Sequence, residues 1–89
     1  MEIIRNETYI VIKLLPIEIN YLGWGNLCSN CNKEISGSIY YIPALNDLMD
    51  KECMEKWYKD AEYFPEDKEY ETRYINSLIY NLKGLAYSK

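Results

Sequence analysis

Cys28-Ser29-Asn30-Cys31 and, after a gap of 18 residues, Asp50-Lys51-Glu52-Cys53 are the two stretches whose reading decides the fold of this chain. Their spacing, C-x2-C-x18-D-x2-C, falls in the range in which two cysteine pairs bracket one structural ion, with the first member of the second pair exchanged for a carboxylate. Two cysteines separated by two residues form a tight knuckle that aims both thiolates at one point. Asn32 follows directly, where the knuckle calls for a left-handed backbone that asparagine tolerates better than most residues. Asp50 and Cys53 lie three residues apart at the expected start of a helix, so a carboxylate and a thiolate share one face. The reading is a tetrahedral site of Cys28, Cys31, Asp50 and Cys53 holding a structural Zn2+, with nearby Asp47 as an alternative fourth ligand. The competing reading makes Asp50 only an N-cap, Cys53 a buried small residue and the Cys28 pair a reduced or redox couple.

Outward from this centre, the chain reads as α+β. Residues 8–15 are β-branched and nearly all apolar, as expected of a strand at the centre of a small sheet, ended by Pro16. Residues 17–22 suggest one short helical turn stopped by Gly23. Trp24, in a glycine-flanked turn, is expected to cover the core on the metal side. Glu34 to Pro43, with a Ser-Gly-Ser break, reads as a β-hairpin, followed by a short strand ending at Met49. From Asp50 the period changes: Cys53, Met54, Trp57, Tyr58 and Ala61 mark an amphipathic helix that Asp50 caps. After Phe64-Pro65, the stripe Tyr70, Tyr74, Ile75, Leu78, Ile79 and Leu82 marks a longer helix over about 66–83 that Gly84 can terminate. The expected architecture is one domain over residues 1–89: a small antiparallel sheet, a zinc knuckle and two C-terminal helices, with the zinc-binding core over about 28–61.

Knuckle, hairpin, then a helix whose first turn supplies the last two ligands resembles the treble-clef zinc fingers, including LIM-like modules. The resemblance covers about a third of the chain. It implies Cys28, Cys31 and Cys53 as ligands at matching positions, with Asp50 where such fingers carry cysteine or histidine. Treble clefs serve nucleic-acid binding, protein binding and catalysis alike, so the likeness implies a scaffold and no single activity.

Composition narrows the function classes. The 89 residues include ten tyrosines, three cysteines and no histidine, and 48% are hydrophobic. A core this small gains from a metal staple. An odd cysteine count suits a reducing compartment, and no membrane span or signal peptide is evident, so the expected location is cytoplasmic. Without histidine the usual serine and cysteine triads cannot be built, and no glycine-rich phosphate loop occurs. The pairs Glu52/Glu55 and Glu66/Glu69 read as solvated helix surface. The expectation is a protein that is not an enzyme.

Of the net charge of −4, residues 47–71 hold ten acids against four lysines, leaving the remainder of the chain at +2. An acidic half weighs against direct nucleic-acid binding and favours a protein partner with a basic surface. Asp60, Glu62, Tyr63, Phe64, Glu66 and Asp67, in a loop between helices, form the candidate contact surface. Tyr63, Tyr80 and Tyr87 fall off the core stripes and are expected to be exposed, and Tyr80 joins the candidate set. On this reading Tyr63→Ala leaves stability almost unchanged. In size, acidity and lack of catalytic residues the chain is similar to small phage and mobile-element inhibitors of bacterial nucleases, anti-CRISPR proteins among them. Two other readings are a nucleic-acid-binding zinc finger using Arg5, Lys13, Lys33, Arg73 and Lys83 with Trp24 or Tyr40 stacking on bases, and a homodimer through the last helix.

Overall fold

The computed structural model describes residues 1–5 and 7–84; Tyr87, one of the tyrosines expected at the surface, lies outside them. Four strands, β1 (Glu2–Arg5), β2 (Val11–Leu14), β3 (Ile39–Ile42) and β4 (Asp47–Met49), form one antiparallel sheet in the order β1-β2-β3-β4. Three helices accompany it: α1 (Pro16–Leu22), α2 (Lys51–Asp60) and α3 (Asp67–Leu82). The α+β class with an antiparallel sheet is as expected, α1 stands where a short helical turn was expected, and β1 adds to the expected elements.

β2 holds the central position that its sequence demands: Val11, Ile12 and Leu14 are buried, with Ile12 opposite Ile3 on one side and Tyr41 on the other. Successive strand residues point to opposite faces, so the burial of all four residues of β3 means that the sheet is covered on both sides. Pro16 both ends β2 and opens α1, which runs for two turns instead of one. Its fixed φ suits the first helical position, and Glu18 reaches back to accept the Leu15 N–H at 2.7 Å. Gly23 closes α1 at φ 73°, a conformation glycine adopts without penalty.

The hairpin expected within residues 34–43 does not form. Only Ile39–Ile42 is strand; Glu34 makes an isolated bridge to Leu27, and the Ile35 N–H donates to the Asn26 carbonyl at 2.7 Å. Closing the knuckle draws this segment away from β3. The hairpin is instead β3–β4, turned by residues 43–46, with Asn46 at φ 54° and its Oδ1 accepting from the Tyr41 hydroxyl at 2.7 Å.

α3 packs with Glu71, Leu78 and Leu82 buried and Tyr74 and Ile75 half-buried. Tyr70, expected in the core, stands one position off this face and is 54% exposed. Gly84 does not cap the helix, whose C-cap is Lys83 in right-handed conformation. A Cβ at Gly84 would meet the Tyr21 hydroxyl of α1, so a larger residue would displace the end of that exposed side chain.

Candidate metal centre and surface

The knuckle forms as its spacing predicts. The Asn32 N–H donates to the Cys28 carbonyl at 2.8 Å, the Cys28 N–H donates to the Lys33 carbonyl at 2.9 Å, and Asn32 sits at φ 59°. A bond of 2.8 Å from the Ser29 N–H to the Leu48 carbonyl of β4 docks the knuckle on the sheet edge next to the start of α2. Asp50 then performs two tasks. Its Oδ1 accepts the Cys53 N–H at 2.7 Å as helix N-cap, while Oδ2 turns to the Cys31 Sγ, which donates to it across 3.5 Å. The N-cap and ligand readings of Asp50 are therefore compatible, because the carboxylate has an oxygen for each.

The ligand atoms of Cys28, Cys31, Asp50 and Cys53 all lie within 4.8 Å of one another, and Asp47 is not among them. Metal–sulfur bonds of about 2.3 Å in a tetrahedron separate two sulfurs by about 3.8 Å, so the group fits an ion after a contraction of about 1 Å or less. Three sulfurs and one carboxylate suit a borderline-soft divalent metal. All four positions are filled by protein atoms, which leaves no vertex for an activated water.

The electrostatics prepare the site unevenly. Burial of Cys28 opposes its ionisation, yet the backbone N–H groups of Asp50, Cys31 and Asn30 turned to its sulfur outweigh burial and hold its thiol below the usual range. The Cys53 N–H keeps the Asp50 carboxyl below the ordinary carboxylate value. For Cys53, the Asn30 side chain favours the thiolate, but desolvation and the neighbouring Asp50, Cys28 and Cys31 together push it up to about 11. Gathering three thiolates and a carboxylate without a cation is therefore unfavourable, and a bound cation reverses that cost.

The candidate contact surface is only partly assembled. Asp60, Glu62, Phe64 and Glu66 are exposed. Tyr63, expected at the surface, is half-buried: its ring meets Tyr9 edge-on with centroids 5.1 Å apart, and Lys68 Nζ lies over the ring 5.8 Å from its centroid. Asp67 is also committed, accepting from the Tyr9 hydroxyl at 2.7 Å, while that hydroxyl accepts the Phe64 N–H at 3.1 Å. Tyr80 is 72% exposed, but 13 residues along α3 from Asp67 it stands about 20 Å from the loop and does not join it. Trp24 is half-buried against Tyr41, ring centroids 5.0 Å apart, in the covering role expected of it. Tyr40 is buried, so base stacking by this residue is ruled out.

Two buried glutamates escaped the sequence reading. Glu71 is 1% exposed; its Oε2 accepts the Ile10 N–H at 2.8 Å and its Oε1 accepts from Lys68 Nζ at 3.0 Å. Glu18 is fully buried and pairs with the Met1 ammonium. Glu71 was discoverable, since residues 71, 74, 75, 78 and 82 share one helix face; a charge on an apolar stripe marks a buried partner.

Among the described residues no helix is long and apolar enough to cross a membrane. No protein-family model matches the chain, and no curated protein or solved structure matches it. What the chain shows on its own is a small α+β fold carrying a Cys3Asp group that could hold a metal ion.

Proposed function

We propose that this protein is a non-enzymatic binding module whose treble-clef-like centre is stapled by a structural Zn2+ and whose acidic face engages a basic surface on a nucleic-acid-handling protein, inhibiting it in the manner of an anti-CRISPR. The observation that carries the metal part is the convergence of four ligand atoms from the knuckle and the first turn of α2 within 4.8 Å, with the β3–β4 hairpin between them. A Cys3Asp donor set suits zinc among the common divalent ions, and a site closed by protein ligands suits structure better than catalysis. The partner part rests on charge. Residues 47–71 carry a net −6, and Asp60, Glu62 and Glu66 stand exposed around Phe64, itself 45% exposed, as a desolvatable anchor ringed by acids.

Two measurements test the reading. Co2+ substitution should give the intense d–d and thiolate charge-transfer bands of a tetrahedral sulfur-rich site; octahedral spectra would contradict it. For the partner, low-salt capture from a host lysate is compared between the parent and a variant with Asp60, Glu62 and Glu66 changed to lysine. A basic protein retained by the parent, released by salt and lost in the variant supports the reading. Retention unaffected by both salt and charge reversal contradicts it.

A second reading, a homodimer through α3, rests on two neighbouring apolar side chains: Ile79 and Tyr80 are 42% and 72% exposed on that helix. A concentration-independent monomer mass by light scattering removes it.

A further inference from the structure

On the side of β3 that Tyr41 faces, α3 does not close on the β3–β4 hairpin, and a pocket of about 510 Å³ lies between them. That volume is in the range of small-ligand sites. Its ten lining residues carry no formal charge, in a chain whose residues are 27% charged. Trp24 is half-buried and packs on the buried Tyr41, with ring centroids 5.0 Å apart and planes at 49°, and Tyr74 of α3 contributes a second half-buried ring. The polar groups of the lining are amides and hydroxyls, chiefly Asn46, Ser77 and Asn81. Asn46 is oriented by its neighbour: its Oδ1 accepts from the Tyr41 hydroxyl at 2.7 Å, which leaves the NH2 as the amide's donor group. Tyr74, Ser77 and Asn81 recur at three- and four-residue steps, so α3 presents one ring and two polar groups along a single line.

We propose that this pocket is a binding site for a neutral nucleobase, presented as a free nucleoside or as an unpaired nucleotide. Trp24 and Tyr74, both half-buried, supply stacking surface, which any base can use, while the Asn46 NH2 and the Asn81 amide supply donors and an acceptor that read a base edge. With no lysine or arginine in the lining, the site has nothing to pair with a phosphate, so recognition falls on the base itself. The proposal is independent of the metal and of the acidic face, apart from Ser29 of the knuckle, which also lines the pocket.

The test uses metal-loaded protein carrying Trp57→Phe, so that Trp24 is the remaining tryptophan and its fluorescence reports on the pocket. Adenosine, guanosine, cytidine and uridine are titrated at millimolar concentration, with methyl glucoside as a control for a sugar site and a short single-stranded oligonucleotide as a second arm. The expected result is saturable quenching by at least one nucleoside and none by the glycoside. Asn81→Ala, on an exposed helix position, and Tyr74→Ala should each weaken binding about tenfold while leaving the far-ultraviolet circular dichroism unchanged. An oligonucleotide that binds much more tightly than its nucleosides assigns the natural source to a strand; equal or weaker binding assigns it to the free nucleoside. No saturable quenching by any nucleoside, equal quenching by the glycoside, or affinity untouched by both variants would overturn the proposal.

Discussion

The two C-terminal helices are fastened to the same sheet by opposite means. α2 is held at its first turn by Asp50, which caps it through the Cys53 N–H and gathers with Cys28, Cys31 and Cys53 into a group of ionisable ligands that a cation would stabilise further. α3 is held by charges the chain supplies for itself: Glu71, paired with Lys68 within the helix, accepts from the Ile10 N–H, and Asp67 accepts from Tyr9. One fastening includes a group that could hold an ion and the other does not. The lesson is that a small domain can close one side of its core with its own charges while gathering on another a ligand group that a cation could complete.

The comparison breaks most visibly at the metal end. Cys31→Ser should release the ion and unfold the knuckle and α2, with a large fall in melting temperature that added metal does not restore. Differential scanning calorimetry with and without metal measures it. At the other end, Glu71→Gln keeps the shape of the side chain but removes the charge that pairs with Lys68 and weakens its bond to the Ile10 N–H. A loss of about 2–3 kcal/mol in urea unfolding is expected, and it should be the same before and after chelation. A Glu71→Gln effect that vanished on chelation would mean that the two fastenings are one cooperative unit.

Alkaline pH sharpens the contrast from the tyrosine side. Burial, with the nearby Tyr74 and Asp47, pushes Tyr41 up to about 12, and burial together with the Asp67 hydrogen bond raises Tyr9 as well. A group whose folded pKa is raised contributes stability that is fully present below its unfolded value, about 10 for tyrosine. That contribution is lost as pH climbs from about 10 through 12, so stability should fall there. Tyrosinate absorbance should show Tyr41 ionising late, together with unfolding. The smallest effect belongs to Tyr63→Ala. Its edge-on contact with Tyr9 makes the cost about 0.5–1.5 kcal/mol, where the sequence alone suggested almost none. Denaturant titration distinguishes the two values.

What was legible in the sequence was local. The two ligand pairs, each with two residues between its members, the N-cap role of Asp50 and the left-handed Asn32 follow from residues a few positions apart, and the structure brings each into place. What was not legible depended on distant partners. Glu2–Arg5 becomes a strand because β2 offers it an edge, which no pattern within four residues reveals. Ser36-Gly37-Ser38 has turn chemistry, but closure of the knuckle commits Ile35 to Asn26, so the hairpin moved to β3–β4. Tyr63 carries the same ambiguity: an aromatic ring in an acidic loop suits a partner or the chain's own Tyr9, and here it packs on Tyr9.

The completion of the α2 fastening by a metal ion is tested most directly by elemental analysis of protein purified without added metal, paired with thermal melting before and after a strong chelator. The account predicts about one zinc per chain and a melting temperature that falls sharply when the metal is withdrawn. Metal-free protein that melts at the same temperature with or without chelator would contradict it, leaving the four side chains as a cluster of reduced thiols beside a helix cap.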